Sequence, residues 1–186
     1  MDAKPPGVLE LVPAARTVLV HFDPALTSSE RLADQIADTA HAIEEEGDAS
    51  GDPGEADVLE IEVHYDGEDL DDVAHQTGLT PAQIVARHCA PVYTVAFCGF
   101  APGFGYLTGL DDALWLPRRA TPRTRVPAGS VAVADRYTAV YPQASPGGWN
   151  LIGRTDATVW DPARQPPAMF VPGARVRFVP SREAKR

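Results

Sequence analysis

The sequence predicts an α+β protein in which an α/β N-terminal part is followed by an all-β C-terminal part. Helical periodicity occurs only before Gly99. Beyond Gly99 lie most of the glycines and prolines, and short apolar segments alternate with turn signals, as in a small barrel. Charge divides the chain in the same way: residues 1–93 hold 20 acidic and 4 basic side chains, whereas residues 94–186 hold 6 and 12. The two halves therefore differ in both structure and chemistry.

The first part of the chain predicts two strands and a helix. Residues 8–12 and 17–22 are short apolar segments around a turn. Thr27, with Glu30 three positions later, forms a capping-box pattern that opens a helix. The acidic stretch 47–57 has the composition of a solvated loop. The apolar face of the predicted helix comprises Leu32, Ile36, Ala40 and Ile43.

A strand and two short helices follow. Residues 58–65 alternate apolar and polar side chains, as a half-buried strand does. The first helix covers about 69–77 and ends at Gly78, which tolerates a left-handed cap. The second begins at Thr80, whose capping box is completed by Gln83.

The C-terminal half predicts short strands separated by rigid loops. Strands are expected at 92–98, 131–134, 138–141, 149–152, 158–160 and 175–179. Three stretches are rich in glycine and proline: 99–107, 117–130 and 145–155. Glycine permits close approach of the backbone to a ligand, and proline stiffens a loop by fixing φ. We therefore expect these loops to present polar groups to a ligand.

Bulk composition excludes several classes of protein. Hydrophobic residues at 44% and charged residues at 23% are ordinary for a globular protein. The sequence shows neither a transmembrane run nor a secretory signal, so we expect a cytoplasmic protein. Cys89 and Cys98 lie outside any CxxC or Cys/His cluster, which favours two buried thiols over a disulfide or a metal site. The net charge of −10 argues against a general nucleic-acid binder.

A series of motifs carries a specific resemblance. In chain order they are IEVHYDGEDL (61–70), GLTPAQIVARH (78–88), GFAPGFGYL (99–107), LPRRATPRTRVPAGSVAVA (116–134), YPQASPGGWNLIGRT (141–155) and PGARVRFVP (172–180). Across residues 8–180 the chain resembles the 5-oxoprolinase B-subunit family. That family includes inhibitors of sporulation sensor kinases and chains called allophanate hydrolase subunit 1. It is similar to one half of the carboxyltransferase domain of urea carboxylase.

The resemblance implies a fold and a domain division. We expect an N-terminal α/β domain of the ferredoxin-like type over residues 1–78 and a cyclophilin-like β-barrel over residues 79–186. Members of the family begin with a further strand and helix, so the N-terminal domain is expected to be incomplete here, or the start codon misplaced. Gly105 stands where many relatives carry proline.

The resemblance also implies an activity and partners. It predicts a subunit of an ATP-dependent 5-oxoprolinase, a hydrolase that opens a small acidic lactam to glutamate. The partner is a related second polypeptide, of the 5-oxoprolinase C-subunit or allophanate hydrolase subunit 2 type, and a third subunit joins them. ATP is expected as a co-substrate of the complex. Because the chain has no GxxxxGK[ST] motif, its sequence does not indicate which subunit holds the nucleotide.

Candidate site residues follow from the proposed chemistry. ATP-driven lactam opening through a phosphorylated amide oxygen needs cations and preorganised donors. Arg119 and Arg123, in the densest cationic cluster, are catalytic candidates, and His88 is a candidate proton shuttle. Candidate substrate-binding residues are Arg118, Arg125, Gly103, Phe104, Ser145, Gly147, Gly148 and Arg154.

Each candidate has a structural alternative. The arginines could be hydrated side chains on the exposed face of a strand, or they could pair with the acidic half of the chain. His88 could cap carbonyls at a helix C-terminus. Residues 145–149 could form an anion-binding nest or a tight hairpin with Trp149 in the core. The aromatic residues of 99–107 could be packing.

Two other functions stay open on the sequence alone. The motifs do not distinguish a lactam from a ureido substrate, so an allophanate hydrolase or urea carboxylase type of subunit is an alternative. Inhibition of a sensor histidine kinase is another, with the apolar segment 99–107 as the docking surface.

Overall fold

The computed structural model describes residues 5–46 and 58–181, and the chain divides into two units, Met1–Ala56 and Asp57–Arg186. The predicted loop 47–57 lies outside the described residues. The second unit begins well before the predicted domain boundary at 78/79, because a strand at 58–63 pairs with one near the C-terminus. The division into domains at 78/79 stays a prediction.

The first unit contains the predicted hairpin and helix. Strand β1 (Val8–Pro13) pairs antiparallel with β2 (Val18–Phe22), and helix α1 covers Ser29–Glu46. The predicted cap is wrong by one residue, because Ser28 Oγ, not Thr27, accepts the backbone N–H of Arg31 at 3.4 Å. A complete ferredoxin-like domain is not confirmed by these elements.

The predicted apolar face of α1 is buried only in part. Leu32 is buried, whereas Ala40 is exposed and Ile36 keeps 52% of its surface exposed. The side chain of Ile43 lies outside the described part. Periodicity locates this helix correctly but does not predict how much of its face is covered.

The second unit is built on a seven-stranded sheet. Its elements are β3 (Val58–Val63), α2 (Leu70–Thr77), α3 (Pro81–Cys89), β4 (Tyr93–Cys98), β5 (Gly105–Thr108), a 3-10 turn (Asp112–Leu114), β6 (Arg123–Val126), β7 (Ser130–Ala134), β8 (Tyr137–Val140), β9 (Ser145–Gly147), β10 (Asn150–Arg154) and β11 (Arg175–Pro180). The strand order is β10-β7-β8-β5-β4-β11-β3, and β6 pairs with β9 in a separate two-stranded sheet. Only β3 and β11 pair in parallel in the large sheet.

The large sheet nearly closes into a barrel. Its two edge strands meet just beyond β3, where His64 and Arg154 form an antiparallel bridge. Two backbone hydrogen bonds join them, from His64 N to Arg154 O at 2.8 Å and from Arg154 N to His64 O at 2.9 Å. Closure satisfies edge groups that would otherwise be unpaired. The expected β-barrel is confirmed as a sheet that nearly closes.

Two hydrophobic cores lie on opposite faces of the sheet. All five residues of β7 are buried, and they alternate between the cores. Val131 and Val133 belong to the first core, together with Tyr93 and Phe178. Ala132 and Ala134 belong to the second, whose large members are Phe104, Tyr141 and Trp149. The barrel is therefore packed on both sides at this strand.

The two short helices match their sequence signals. Thr80 caps α3 with a complete capping box to Gln83, and Gly78 ends α2 with φ +69°. Val73 of α2 and Ile84 of α3 belong to the first core. Within the described residues no helix is long and apolar enough to cross a membrane.

Four strand assignments differ from the prediction. Residues 158–160 form no strand, because Trp160 makes only an isolated bridge with Ala168. Strands β5, β6 and β9 have no counterpart among the predicted strands. Each lies in a glycine- and proline-rich stretch, where local propensity argues against a strand and pairing with distant residues decides.

Candidate functional site

A buried carboxylate gathers two arginines beside the barrel. Asp69, which precedes α2, keeps only 1% of its surface exposed. One of its oxygens accepts the backbone N–H of Leu151 at 2.7 Å. Arg123 donates to both oxygens, at 2.9 and 2.7 Å, and Arg119 donates through Nη1. A buried carboxylate needs such charged and backbone donors to offset the loss of hydration.

Two exposed acids, Glu68 and Asp72, and the half-buried Asp66 surround this centre. The ion pairs at its rim are Arg123 with Glu68 (3.2 Å), Arg119 with Asp72 (3.7 Å) and Arg154 with Asp66 (3.3 Å). The hydrogen bond to Asp69, followed by the nearby charges of Asp69 and Glu68, raises the pKa of Arg123. Residues 66–72, from the acidic half, thus neutralise three arginines of the basic half within the chain, as the structural alternative allowed.

The predicted arginine cluster divides into paired and unpaired members. Arg118 and Arg125 are exposed, and no carboxylate of residues 5–46 or 58–181 pairs with either. Arg119 is only partly satisfied, since its buried Nε has no hydrogen-bond partner. The predicted cluster therefore consists of two fixed guanidinium groups and two that face solvent.

An open cavity of about 210 Å³ adjoins the Asp69 centre. It is lined by residues 66–68, 127–128, 130, 151 and 153–154, and its polar side chains are Asp66, Glu68, Ser130 and Arg154. A second cavity, of about 230 Å³, is lined by residues 128–129, 141–142 and 155–159. Of the predicted site residues, only Arg154 lines either cavity.

Two glycines let the walls of the first cavity come together. A Cβ at Gly67 would lie 2.3 Å from the carbonyl oxygen of Leu151. A Cβ at Gly153 would lie 2.6 Å from that of His64. Both distances are too short for a side chain, so these positions require glycine. The backbone approach fixes the loop that carries Asp66, Glu68 and Asp69 against β10.

His88 lies inside the protein with both ring nitrogens occupied. Thr138 donates its hydroxyl proton to Ala132 O at 3.1 Å, so it accepts from His88 Nε2 at 2.8 Å. His88 Nδ1 then accepts from the Tyr65 hydroxyl at 2.7 Å, and that hydroxyl also contacts Cys89 Sγ at 3.1 Å. Burial lowers the pKa of His88 to about 3, so the ring is neutral. No ring atom faces either cavity.

Gly103 and Phe104 are packing residues in this geometry. Gly103 has φ +80°, and a Cβ there would lie 2.6 Å from Cβ of Trp160. Phe104 is buried in the second core, with edge-to-face contacts to Tyr141 and Trp149. Neither residue lines a described cavity.

The segment 145–149 forms no tight hairpin, although Trp149 does enter the core as that alternative expected. Its strand β9 pairs with β6, and Trp149 is buried. A Cβ at Gly147 would lie 2.3 Å from the Tyr141 hydroxyl, whereas Gly148 has no neighbour closer than 3.6 Å. Ser145 Oγ is buried without a hydrogen-bond partner.

Sequence reasoning missed the acidic side of the site. Asp66, Glu68 and Asp69 stand together in the motif IEVHYDGEDL, yet nothing near them indicates their pairing with arginines 50 or more residues away. The available signal is the opposite charge of the two halves. Within the described residues, no group of three His, Cys, Asp or Glu side chains could hold a metal ion. Cys89 and Cys98 are both partly exposed, so the expectation of two buried thiols is wrong.

Comparison with known proteins places the chain in a family. The family described as "Carboxyltransferase domain, subdomain C and D" matches residues 1–170. The 5-oxoprolinase B-subunit of Escherichia coli O157:H7 is 43% identical over 181 residues, which cover 96% of this chain and 80% of the relative. The chain belongs to the 5-oxoprolinase B-subunit family. The resemblance carried by the motifs is thereby confirmed.

Solved structures related to this member of the 5-oxoprolinase B-subunit family agree with the fold. The protein TTHA0988 is 41% identical with a TM-score of 0.77 over 99% of the chain, which spans 35% of the length of TTHA0988. The Kluyveromyces lactis urea carboxylase has a TM-score of 0.65 over 94% of the chain and 18% of its own length. At 20% identity, that similarity shows the fold alone.

Proposed function

We propose that this chain is one subunit of an ATP-dependent 5-oxoprolinase, a hydrolase that opens the cyclic amide to glutamate together with a related partner subunit. The observation that carries the proposal is the 43% identity, over 96% of the chain, to a protein named as the B-subunit of 5-oxoprolinase. A third subunit and a cytoplasmic location belong to the same proposal.

In this proposal Arg119 and Arg123, held by Asp69, present preorganised positive charge to the reacting substrate. The buried carboxylate holds Arg119 and Arg123 in fixed orientations, so they need no reorganisation when charge develops on a reacting oxygen. Arg118 and Arg125, exposed in the same segment, are available to an anion or to the partner subunit.

The other predicted site residues receive revised roles in the proposal. We assign His88 to the core as a neutral, hydrogen-bonded ring, since no proton can reach solvent from it directly. Gly103 and Phe104 support the second core. Gly147 packs against Tyr141, Gly148 lies beside Pro122, and Ser145 is assigned to β9. Arg154 remains a ligand-binding candidate because it lines a cavity.

ATP is assigned to the complex as its co-substrate, without assignment to one subunit. The two cavities measure about 210 and 230 Å³. Pockets for drug-sized ligands span about 300–1,000 Å³. Each of these two cavities is smaller than that range, so neither is assigned to the nucleotide.

The alternatives differ in substrate or in partner. The allophanate or urea carboxylase type rests on structures only 20% identical, and so is secondary. The kinase-inhibitor type rests on Phe100, which is 60% exposed and held at φ +68° in the predicted docking segment. Both can be tested beside the main proposal.

Co-expression with the partner subunits provides the test. The purified complex should hydrolyse ATP in the presence of 5-oxoproline and release glutamate, and allophanate should stimulate neither. Arg123→Gln should lower this turnover, whereas Arg136→Gln, an exposed arginine stacked over Trp115, should not. A well-folded complex without lactam-dependent turnover would refute the proposal, and inhibition of kinase autophosphorylation by the chain would favour the alternative.

A further inference from the structure

The cavity beside the Asp69 centre has mixed charge. Its walls present the carboxylates of Asp66 and Glu68, the guanidinium of Arg154 and the hydroxyl of Ser130. The two arginines nearest to it, Arg119 and Arg123, are bound to the buried Asp69. Charged groups of both signs therefore surround this space. Such a cavity suits a ligand that carries both charges better than one that carries only a carboxylate.

Arg154 retains donors for a ligand. Its Nε donates to Asp66 at 3.3 Å, and its Nη1 lies 3.9 Å from Asp156, beyond hydrogen-bond distance. A guanidinium has five N–H donors. The side chain is half exposed, so the terminal nitrogens can donate to a carboxylate from the cavity side.

The volume of the cavity sets the size of the ligand. An engineered protein cavity of about 150 Å³ accommodates benzene. The 210 Å³ found here therefore has room for a somewhat larger molecule, such as a small amino acid. The cavity is open on one side, which permits exchange with solvent.

We propose that this cavity binds a zwitterionic α-amino acid, namely the ring-opened glutamate, with its α-carboxylate on Arg154 and its ammonium between Asp66 and Glu68. The inference rests on the proposed function for the identity of the amino acid. Hydrolysis of the lactam adds the hydroxyl of water to the carbonyl carbon and a proton to the nitrogen. The freed amine then takes a further proton and becomes an ammonium, while the new carboxylic acid loses one.

The product and the substrate differ in the charges that they present to this cavity. In the lactam the nitrogen is an uncharged amide, so it offers the carboxylates of Asp66 and Glu68 one N–H donor but no positive charge. The ring-opened acid presents a cation to those carboxylates and an anion to Arg154 at the same time. The site is thus expected to favour glutamate over 5-oxoproline.

Calorimetric titration of the full chain tests the pattern of recognition. L-Glutamate should bind at least tenfold more tightly than glutarate, which lacks the ammonium, or 4-aminobutyrate, which lacks the α-carboxylate. One charge-assisted hydrogen bond corresponds to roughly a tenfold to hundredfold change in affinity. 5-Oxoproline should bind as weakly as glutarate. Equal binding of all four ligands, or no binding of glutamate, overturns the inference.

Matched variants locate the site. Glu68→Gln and Asp66→Asn should each weaken glutamate by about tenfold or more and should not weaken glutarate, whose carboxylates lose a repelling neighbour. Asp156→Asn removes a carboxylate from the same arginine but outside this cavity, and should leave glutamate binding within about twofold. Equal effects of all three variants overturn the assignment.

Failure of the inference is distinguishable from failure of the proposed function. A complex that converts 5-oxoproline but whose glutamate affinity does not respond to Glu68→Gln refutes only the site. A chain that binds glutamate with the predicted pattern, in a complex without lactam turnover, keeps the site and refutes the proposed activity.

Discussion

Replacing the buried Asp69 by asparagine should destabilise the second unit more than any conservative change at its rim. The carboxylate accepts hydrogen bonds from Leu151 N, from two nitrogens of Arg123 and from Arg119. An asparagine keeps one acceptor oxygen and turns an NH₂ group toward groups that are themselves donors. Two guanidinium charges also lose their buried counter-charge.

The expected cost follows from those losses. Hydrogen bonds to charged groups contribute about 1.5–3 kcal/mol each, and removing one partner of a buried ion pair costs about 3–5 kcal/mol. We therefore expect Asp69→Asn to lower the free energy of unfolding by about 3–5 kcal/mol. For a chain of this size that corresponds to a fall in Tm of roughly 6–20 °C.

Urea unfolding followed by tryptophan fluorescence measures this cost. The matched control is Asp72→Asn, which removes an exposed carboxylate 3.7 Å from the same Arg119. Because exposed pairs contribute about 0–1 kcal/mol, the control should change little. If both variants lose the same stability, or if Asp69→Asn costs less than about 1 kcal/mol, the buried carboxylate does not hold the arginines as argued.

Three further predictions concern the packing around the barrel. Burial lowers the folded-state pKa of His88 to about 3, so its stabilising contribution is complete above pH 6.5 and is lost as the pH falls toward 3. Between pH 6 and 4, unfolding free energies of the wild type should fall faster than those of His88→Gln, by up to about 1.4 kcal/mol per pH unit, and parallel curves would contradict this. Tyr65→Phe should cost about 1–3 kcal/mol in urea unfolding because it leaves His88 Nδ1 without a hydrogen-bond partner, and an unchanged midpoint would contradict that hydrogen bond. Gly147→Ala should cost about 1–3 kcal/mol by overpacking against Tyr141, whereas Gly148→Ala should be nearly neutral by thermal unfolding; equal losses would contradict the packing described.

Local signals predict the elements whose structure is decided locally. The capping box at Thr80 and the left-handed Gly78 are set by groups within a few residues, and the structure contains both. The alternation of Val176 and Phe178 with arginines likewise identifies β11, whose apolar side chains enter the first core. In α1 the cap lies one residue later than predicted, because Thr27 and the following Ser28 offer similar hydroxyls.

Pairing over long distances in sequence cannot be predicted in the same way. Strands β5, β6 and β9 have weak strand propensity and exist through partners elsewhere in the sheet. The arginine-rich segment suggests a ligand surface because its charge is visible in the sequence, whereas Asp69, 50 residues earlier, is visible only as one of several acids. Composition shows the two opposite charges, and the fold brings them together.

The same limit applies to His88. Its position near the end of a helix suggests a role in proton transfer, but the sequence does not show that Tyr65 and Thr138 occupy both ring nitrogens. These partners come from an earlier loop and from a barrel strand 50 residues later. Side-chain networks of this kind depend on the closed sheet, which no short motif encodes.

The most direct test of the proposed function is the amount of glutamate formed per ATP hydrolysed, measured with the partner subunits in the presence and absence of this chain. The account predicts equal amounts of glutamate and phosphate when 5-oxoproline is supplied, and neither product when the chain is omitted. Glutamate formation that continues at the same rate without the chain, or phosphate release that ignores the lactam, would contradict it.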